Sequence, residues 1–400
     1  MPAAEPRSAS AYLRLSTLFH FLSMGVFLSG LPLLLTRELH STKAAVGFAV
    51  GSFSLTAVAT RPFVGRAIDR RGRKAFLIGA PIVVAASAAG LLVAGFYAAV
   101  VALRLAQGAA GAAYYTSAAT VANDLATPEQ RADAISKFSL FLYAGFSIGP
   151  ALGEWLIVER GFAWAWLAAL GFAAIAATVA TQVPETRVDH DDDHVVARRL
   201  LHPAALGPGL VLMTVAVGYS AIGAFSPIYA RSIGMSSSGV LYVAFAVSIF
   251  AVRLVSGRLA DRYGRVAVSL PGLLAGAAGM ALLALVQEPV AAVAGVALFG
   301  TAHALAFPAL MALAVERASD RERGEVLGSF TACFDVGAAS GASLVGAVAD
   351  RAGFEAGWLV PAGLCVLGAA ALVGMGRRAR PATGHRASSG DLPLPEPAGT

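Results

Sequence analysis

Apolar runs of about twenty residues recur along the chain, as in Ala75–Phe96 and Ala356–Gly376. A run of that length is what an α-helix needs to cross the hydrocarbon core of a bilayer. Inside lipid every backbone N–H and C=O must be satisfied within the protein, so only helices and closed barrels span. No segment alternates with period two over the length of a barrel strand. The 400 residues are 57% hydrophobic and 14% charged, against about 25% charged in ordinary soluble domains. The expected fold is therefore all-α and integral to the membrane, not a string of soluble domains.

Twelve spans fit, at residues 13–35, 44–64, 75–96, 98–122, 134–157, 162–183, 206–228, 237–256, 266–286, 290–315, 325–348 and 356–376. The longest polar interruption, "PETRVDHDDDHVVARRLLHP" from Pro184 to Pro203, divides them six and six. This predicts an N-terminal bundle over 1–183, a cytoplasmic linker over 184–205 and a C-terminal bundle over 206–376. The tail, 377–400, is rich in Pro, Gly, Ser and Arg and reads as disordered.

The formal net charge of +6 raises the question of nucleic acid, but the placement of the charge argues against it. With the N-terminus inside, Arg37, Lys43, Arg160, Arg231 and Arg351 fall outside and Arg104 lies in a span. The rest of the 30 Lys and Arg are counted to the cytoplasmic side. That is the positive-inside distribution. It predicts a multi-pass protein of the cell membrane with both termini cytoplasmic and no nucleic-acid partner. Cys333 and Cys365 both sit in spans and make no disulfide framework. The first apolar run has no small-residue cleavage site after it and is long enough to stay as a helix.

The stretch "GRAIDRRGRK", Gly65–Lys74, returns as "GRLADRYGRV", Gly257–Val266, 192 residues later. The same offset, without a gap, carries Gly47, Phe53 and Arg61 onto Gly239, Phe245 and Arg253. It carries Gly108, Arg131, Phe138, Gly145 and Gly149 onto Gly300, Arg323, Phe330, Gly337 and Gly341. The halves are thus expected to be two parallel six-helix repeats around a central cavity, with a substrate site between them near the midplane. Each decamer falls in a short cytoplasmic loop, whose tight turn suits Gly65 and Gly72, and Gly257 and Gly264. Its arginines suit the anionic inner leaflet without any mechanism. Asp69 and Asp261 do not serve that purpose. An acid among Arg73, Lys74 and Arg265 reads better as an ion-pairing latch, or as a carboxylate meeting a helix N-terminus.

Here the chain resembles the major facilitator superfamily. "GRAIDRRGRK" is similar to that family's loop signature, "RLAQG" (Arg104–Gly108) to its fourth-span signature, and "GFSIGPALGE" (Gly145–Glu154) to the fifth-span signature of its proton-coupled exporters. The resemblance covers Tyr12 to Gly376. It implies that Asp69 bridges the halves when the cavity opens outward, and that Arg104 sits in the proton-coupling region. It implies also that Gly145, Gly149, Pro150 and Gly153 shape a fifth helix packed against the other half. The chain departs where Glu154 replaces a second Gly, and where Ala342 and Val296 replace the Pro and Arg in the second half.

Ionisable groups inside a bilayer are costly, about 2.5–3.5 kcal/mol on insertion scales, so each needs a reading. Arg104 cannot deprotonate and needs a partner. An Arg104–Glu154 contact is one reading, separate reach to the headgroups the other. Asp335, near the middle of the eleventh span, is too deep to snorkel, and burial disfavours its charged form. It is the leading proton-coupling candidate, against a purely structural carboxyl. His303, beside Thr301 and Pro308, suits a proton relay or substrate contact. His20 is equally consistent with a bond to a neighbouring carbonyl. Gln107, Tyr114, Tyr115, Asn123 and Tyr219 offer hydrogen bonds to a bulky, partly apolar solute, although Tyr also suits the interfacial belt. The steps Gly145-x-x-x-Gly149 and Gly337-x-x-x-Gly341 are expected to serve close packing, and to mark where the halves rock.

"DHDDDH", Asp189–His194, is a solvated charge run, not a metal site, and no phosphate-binding loop exists for ATP. No metal, cofactor or catalytic constellation is predicted. The expected function is a monomeric secondary transporter exporting a small organic molecule in exchange for protons. Proton-coupled uptake of a metabolite and a non-transporting membrane sensor are the alternatives.

Overall fold

The computed structural model describes residues 6–127, 130–187, 201–316, 318–319 and 322–379. The run Asp189–His194, most of the tail, and the side chains of Asp69 and 255–261 lie outside the described residues. The helices are α1 Pro6–Arg37, α2 Lys43–Arg71, α3 Lys74–Leu91, α4 Tyr97–Asp124, α5 Arg131–Arg160 and α6 Phe162–Ala180. Then come α7 Pro203–Ser232, α8 Gly239–Tyr263, α9 Arg265–Leu285 and α10 Pro289–Val315. The last helical stretch, Arg323–Ala379, breaks at Gly353 (φ 79°, ψ 172°) into α11 (323–352) and α12 (354–379). Among the described residues nine stretches are long and apolar enough to cross a membrane, and one, Glu325–Met375, holds both α11 and α12. With α4 and α8 they make the twelve spans expected. The third span is shorter than its apolar run, ending at Leu91, while α2, α7 and α8 extend beyond theirs.

Turn chemistry sets the hairpins. Gly72 (φ 87°) and Gly264 (φ 86°) turn the chain between α2 and α3 and between α8 and α9. Gly161 (φ 91°) and Gly353 do the same for α5–α6 and α11–α12. Each pair is 192 residues apart. A positive φ strains a residue that has a Cβ, so glycine is needed there. Gly65 and Gly257, expected in the loops, are instead helical, because α2 and α8 run on to Arg71 and Tyr263. A carboxylate also caps the start of α3. The Glu185 carboxylate, after α6, accepts from the amides of Arg73 (2.9 Å) and Lys74 (3.0 Å), at the start of α3. Burial pushes this carboxyl up, but those amides with those of Thr186 and Arg187 outweigh it and hold it below the ordinary range.

The repeat is visible in contacts as well as in letters. Arg73 pairs with Asp124 (3.7 Å), and Arg265 pairs with Glu316 at the same offset. Gly108 lies against Phe53 and Thr56, and Gly300 against Phe245 and Ser248. Gly145 and Gly149 meet Phe21 and Gly25 of α1, and Gly337 and Gly341 meet Met213 and Val217 of α7. Those last steps therefore lock helices within each half, contrary to the expectation that they mark the seam between halves. Three α1 hydroxyls add hydrogen bonds inside the first half: Ser16 to the Ala176 carbonyl (3.0 Å), Ser23 to Ala169 (2.7 Å) and Ser29 to Pro150 (2.8 Å). Such bonds contribute roughly 0.6–2 kcal/mol each in a membrane bundle.

The halves meet along two seams. On one, α2 runs antiparallel to α11, with Gly47 against Ala342, Gly51 against Ala339 and Gly346 against Lys43. On the other, Gly239 of α8 meets Ala151 of α5. Two ends can be distinguished. The basic end carries the start of α1, the end of α12, Gly72 and Gly264. The far end carries Gly161, Gly353 and the starts of α2 and α8.

Candidate functional site

Down the α2–α11 seam, the pairings of Gly47 and Gly51 put Asp335 level with residue 55. At 1.5 Å per residue that is about 18 Å from Lys43, near the middle of the bundle. There Arg61 Nε stands 2.6 Å from Asp335 Oδ2, as an ion pair that joins the two halves. The N–H does not point along the line to the oxygen, so the contact is ionic more than a well-formed hydrogen bond. The Asp335 side chain is 9% exposed and that of Arg61 30%, so the acid is buried and the arginine partly exposed.

The second seam has the same construction with one change. Arg253, the repeat partner of Arg61, donates from Nη2 to the Tyr143 hydroxyl (3.0 Å) and lies 5.0 Å over its ring. Tyr143 is the repeat partner of Asp335. The two arginines thus face each other's halves at one level, one onto a carboxylate and the other onto a phenol. Tyr115, nearly half exposed, lies within electrostatic reach of Arg61, Arg253, Asp335 and Tyr143. Aromatic rings form the wall on the second half. Tyr219 stacks on His303 (5.4 Å) and touches Phe334 (5.5 Å) and Phe245 (5.8 Å).

The Arg61–Asp335 and Arg253–Tyr143 contacts lie at this level, and the contacts of Glu154 with Ser238 and of Asp350 with Lys43 lie toward the far end.

The other expected residues are placed as follows. Arg104 and Glu154 do not meet. Arg104 donates to the Gln107 side-chain oxygen (2.8 Å) and the Val50 carbonyl (3.3 Å), over the Phe53 ring. Glu154 instead bonds Ser238 and Arg231 at the far end, because α5 turns residues 143, 151 and 154 toward α8 and its glycines toward α1. His20 is fully buried, stacked 3.8 Å from Tyr114, and neither ring nitrogen has a partner among the described residues. Tyr114 is held by the Ser16 hydroxyl (2.8 Å). His20, Gln107 and Tyr114 are therefore fully buried, whereas Tyr115 is exposed and Tyr219 half-buried. Pro150 and Gly153 lie in the α1–α5 interface. Among the described residues no cluster of His, Cys, Asp and Glu could hold a metal.

Arg61, Arg253 and Tyr143 were missed as site residues. The signal was present: Arg61 and Arg253 match at the repeat offset and fall inside apolar spans, yet the topology count placed both with the cytoplasmic arginines.

Known proteins agree with this architecture. An MFS-type transporter of Salmonella typhimurium is 27% identical over 92% of this chain and 98% of its own. The staphylopine export protein of Staphylococcus aureus is 25% identical over 81% and 85%. Among solved structures, a mutant of the nucleoside transporter NupG superposes with a TM-score of 0.77 at 18% identity, covering 92% of this chain and 99% of that one. A bacterial homologue of the human lysosomal transporter Spinster, solved inward-facing and unoccupied, gives 0.74 at 13% identity, covering 94% and 98%. Such low identities bear on the fold alone. The family description "Major Facilitator Superfamily" matches residues 13–319 and 208–396, so nearly the whole span-bearing chain is accounted for, and the protein belongs to that superfamily of membrane transporters.

Proposed function

We propose that the chain is a secondary exporter of a small organic molecule, exchanging it for protons by alternating access across the cell membrane. The observation that carries this reading is the Arg61–Asp335 pair, a buried carboxylate whose cation belongs to the opposite half. The pair locks the empty, deprotonated carrier. A proton on Asp335, or a cargo group that competes for Arg61, breaks the same contact, and only the unlocked carrier turns over. One occupant at a time gives exchange.

By the positive-inside rule the basic end is cytoplasmic and the far end outside. Cargo then enters from the cytoplasm or inner leaflet, between α2 and α11 or α5 and α8, and meets Tyr115, Tyr219 and Phe334. Asp69 and Asp261 keep their expected role as cytoplasmic latches in the opposite, outward-open state. Export is favoured by the names of two relatives, the staphylopine export protein and multidrug resistance protein 2 of Bacillus subtilis.

Flux in proteoliposomes under an imposed pH gradient of each sign tests the reading. Cargo should move against the proton gradient, and Asp335→Asn should abolish gradient-driven flux. Full gradient-driven transport with normal pH dependence in Asp335→Asn would overturn the coupling site. Cargo moving with the protons would make the protein an uptake symporter.

A further inference from the structure

At the far end each half holds the other by the same device. Asp350, at the end of α11, accepts from the backbone amides of Lys43 (Oδ1, 2.8 Å) and Ala44 (Oδ2, 2.8 Å), the first two residues of α2. Lys43 Nζ donates back to the Ala349 carbonyl (3.0 Å). On the other seam Glu154, near the end of α5, accepts at Oε2 from the Ser238 amide (2.7 Å) and hydroxyl (2.6 Å), and from the Ser237 hydroxyl (3.2 Å). Ser238 immediately precedes α8. Arg231 Nη2 approaches Oε1 at 3.4 Å.

A carboxylate is favoured at a helix N-terminus, where free amides and the helix dipole converge, and charge-assisted bonds are the strong ones. Here the first half supplies one carboxylate and one helix start, and the second half supplies the same. Yet the acids do not match at the repeat offset: Asp350 falls on Val158 and Glu154 on Gly346. The device was therefore built separately on each seam. It also gives a reason for Glu154 to stand where the exporter signature has Gly.

We propose that Glu154 and Asp350 are positioning residues that form the far-end gate of the transport cycle, one clasp on each seam. Both clasps must open for the cavity to face outward. This rests on the alternating-access reading above. Glu154 is 1% exposed and Asp350 exposed, so the Glu154 clasp is the stronger.

The test reads accessibility rather than flux. In a Cys333→Ala/Cys365→Ala background, Ser147→Cys places a thiol on α5 one turn deeper than Ala151, behind the gate. Thr331→Cys places one on α11, one turn on the basic side of Asp335. Each is labelled with a membrane-impermeant maleimide applied from one side of oriented vesicles. Glu154→Gln should raise far-end labelling of Ser147→Cys by about tenfold, the weight of one buried charge-assisted bond, and lower basic-end labelling of Thr331→Cys. Asp350→Asn should act in the same direction by less, and the double variant by more than either. A merely structural role would loosen the fold without moving the two probes in opposite directions. Unchanged labelling in a folded Glu154→Gln protein overturns the gate. If that variant is not recovered in membranes, Asp350→Asn decides by the same criterion. Opposed labelling shifts in a protein that moves no cargo would support the gate while refuting the export reading.

Discussion

The close approach of α2 to α11 leads to a prediction whose sign is opposite to the intrinsic preference of the residues. A Cβ at Gly47 or Gly51 would fall on the backbone carbonyls of Ala342 and Ala339, closer than the 3.0 Å that real Cβ atoms keep. Backbone cannot rotate away as a side chain can, so the two helices must separate. Overpacking of this kind costs typically about 1–3 kcal/mol per site. Replacing Gly by Ala in a helix returns about 1 kcal/mol of propensity. The propensity gain is common to the closed and open states, so the shift for Gly47→Ala/Gly51→Ala is set by overpacking at two sites, about 2–6 kcal/mol, confined to the state in which the far ends of α2 and α11 touch. At about 1.4 kcal/mol per factor of ten, that corresponds to a shift of roughly thirtyfold or more toward far-end opening. Spin labels near the far ends of α2 and α11 should then show a longer distance distribution. Gly79→Ala and Gly171→Ala are the controls, since nothing lies within 4 Å of a Cβ at either position. They should leave the distance unchanged and hold or raise the melting temperature. A double variant as closed and as stable as the controls would refute the reasoning.

Glu185 gives a pH effect outside the membrane. Its folded carboxyl lies below the ordinary range, so its stabilisation of the α2–α3 turn is full above the unfolded value near 4.5 and is lost as pH falls through the folded value. Hydrogen exchange at residues 72–76 should rise in acid, and Glu185→Gln should show that faster exchange already at neutral pH. His20→Phe should be tolerated, because the ring stacks on Tyr114 without a bonded nitrogen. His20→Ala should lower stability by about 2–5 kcal/mol through the cavity it leaves, read as a melting shift in detergent. The combined exchange Tyr143→Asp/Asp335→Tyr should keep pH-dependent flux, since Arg253 already stands where a carboxylate at 143 would need it. Asp335→Tyr alone should lose it.

Span length, the six-and-six division and the repeat were legible because each depends on many residues at once. Runs of apolar side chains are set by bilayer thickness, and the offset pairs survive in contacts such as Arg73–Asp124 and Arg265–Glu316. What could not be read was which way a helix face turns. The α5 glycines were legible as packing residues but not as facing α1. Glu154 was legible as deep, but its bonding partners come from the end of α7 and the start of α8, far away in sequence. Asp335 was legible as a deep carboxyl from its place in the span alone. Its partner was overlooked because an arginine deep in α2 resembles the loop arginines that follow it. Gly65 failed for a simpler reason, since nothing in the letters shows that α2 continues past it.

Comparison of the two halves separates scaffold from chemistry. Positions that match across the offset are turns, close helix crossings and the Arg pairs that hold loops. Positions that break it include Asp335 against Tyr143, Arg104 against Val296, His303 against Gly111, His20 against Leu212 and Glu154 against Gly346. A scaffold residue is needed twice because the fold is built twice. A group that titrates or carries charge within the bilayer is costly wherever it stands, so duplication has no structural reason to keep two copies. Arg61 and Arg253 are the instructive exception. The cation is kept on both seams, and only its acceptor differs, a carboxylate on the α2–α11 seam and a phenol on the α5–α8 seam. The two seams can share one geometry and still divide the work of a cycle between them.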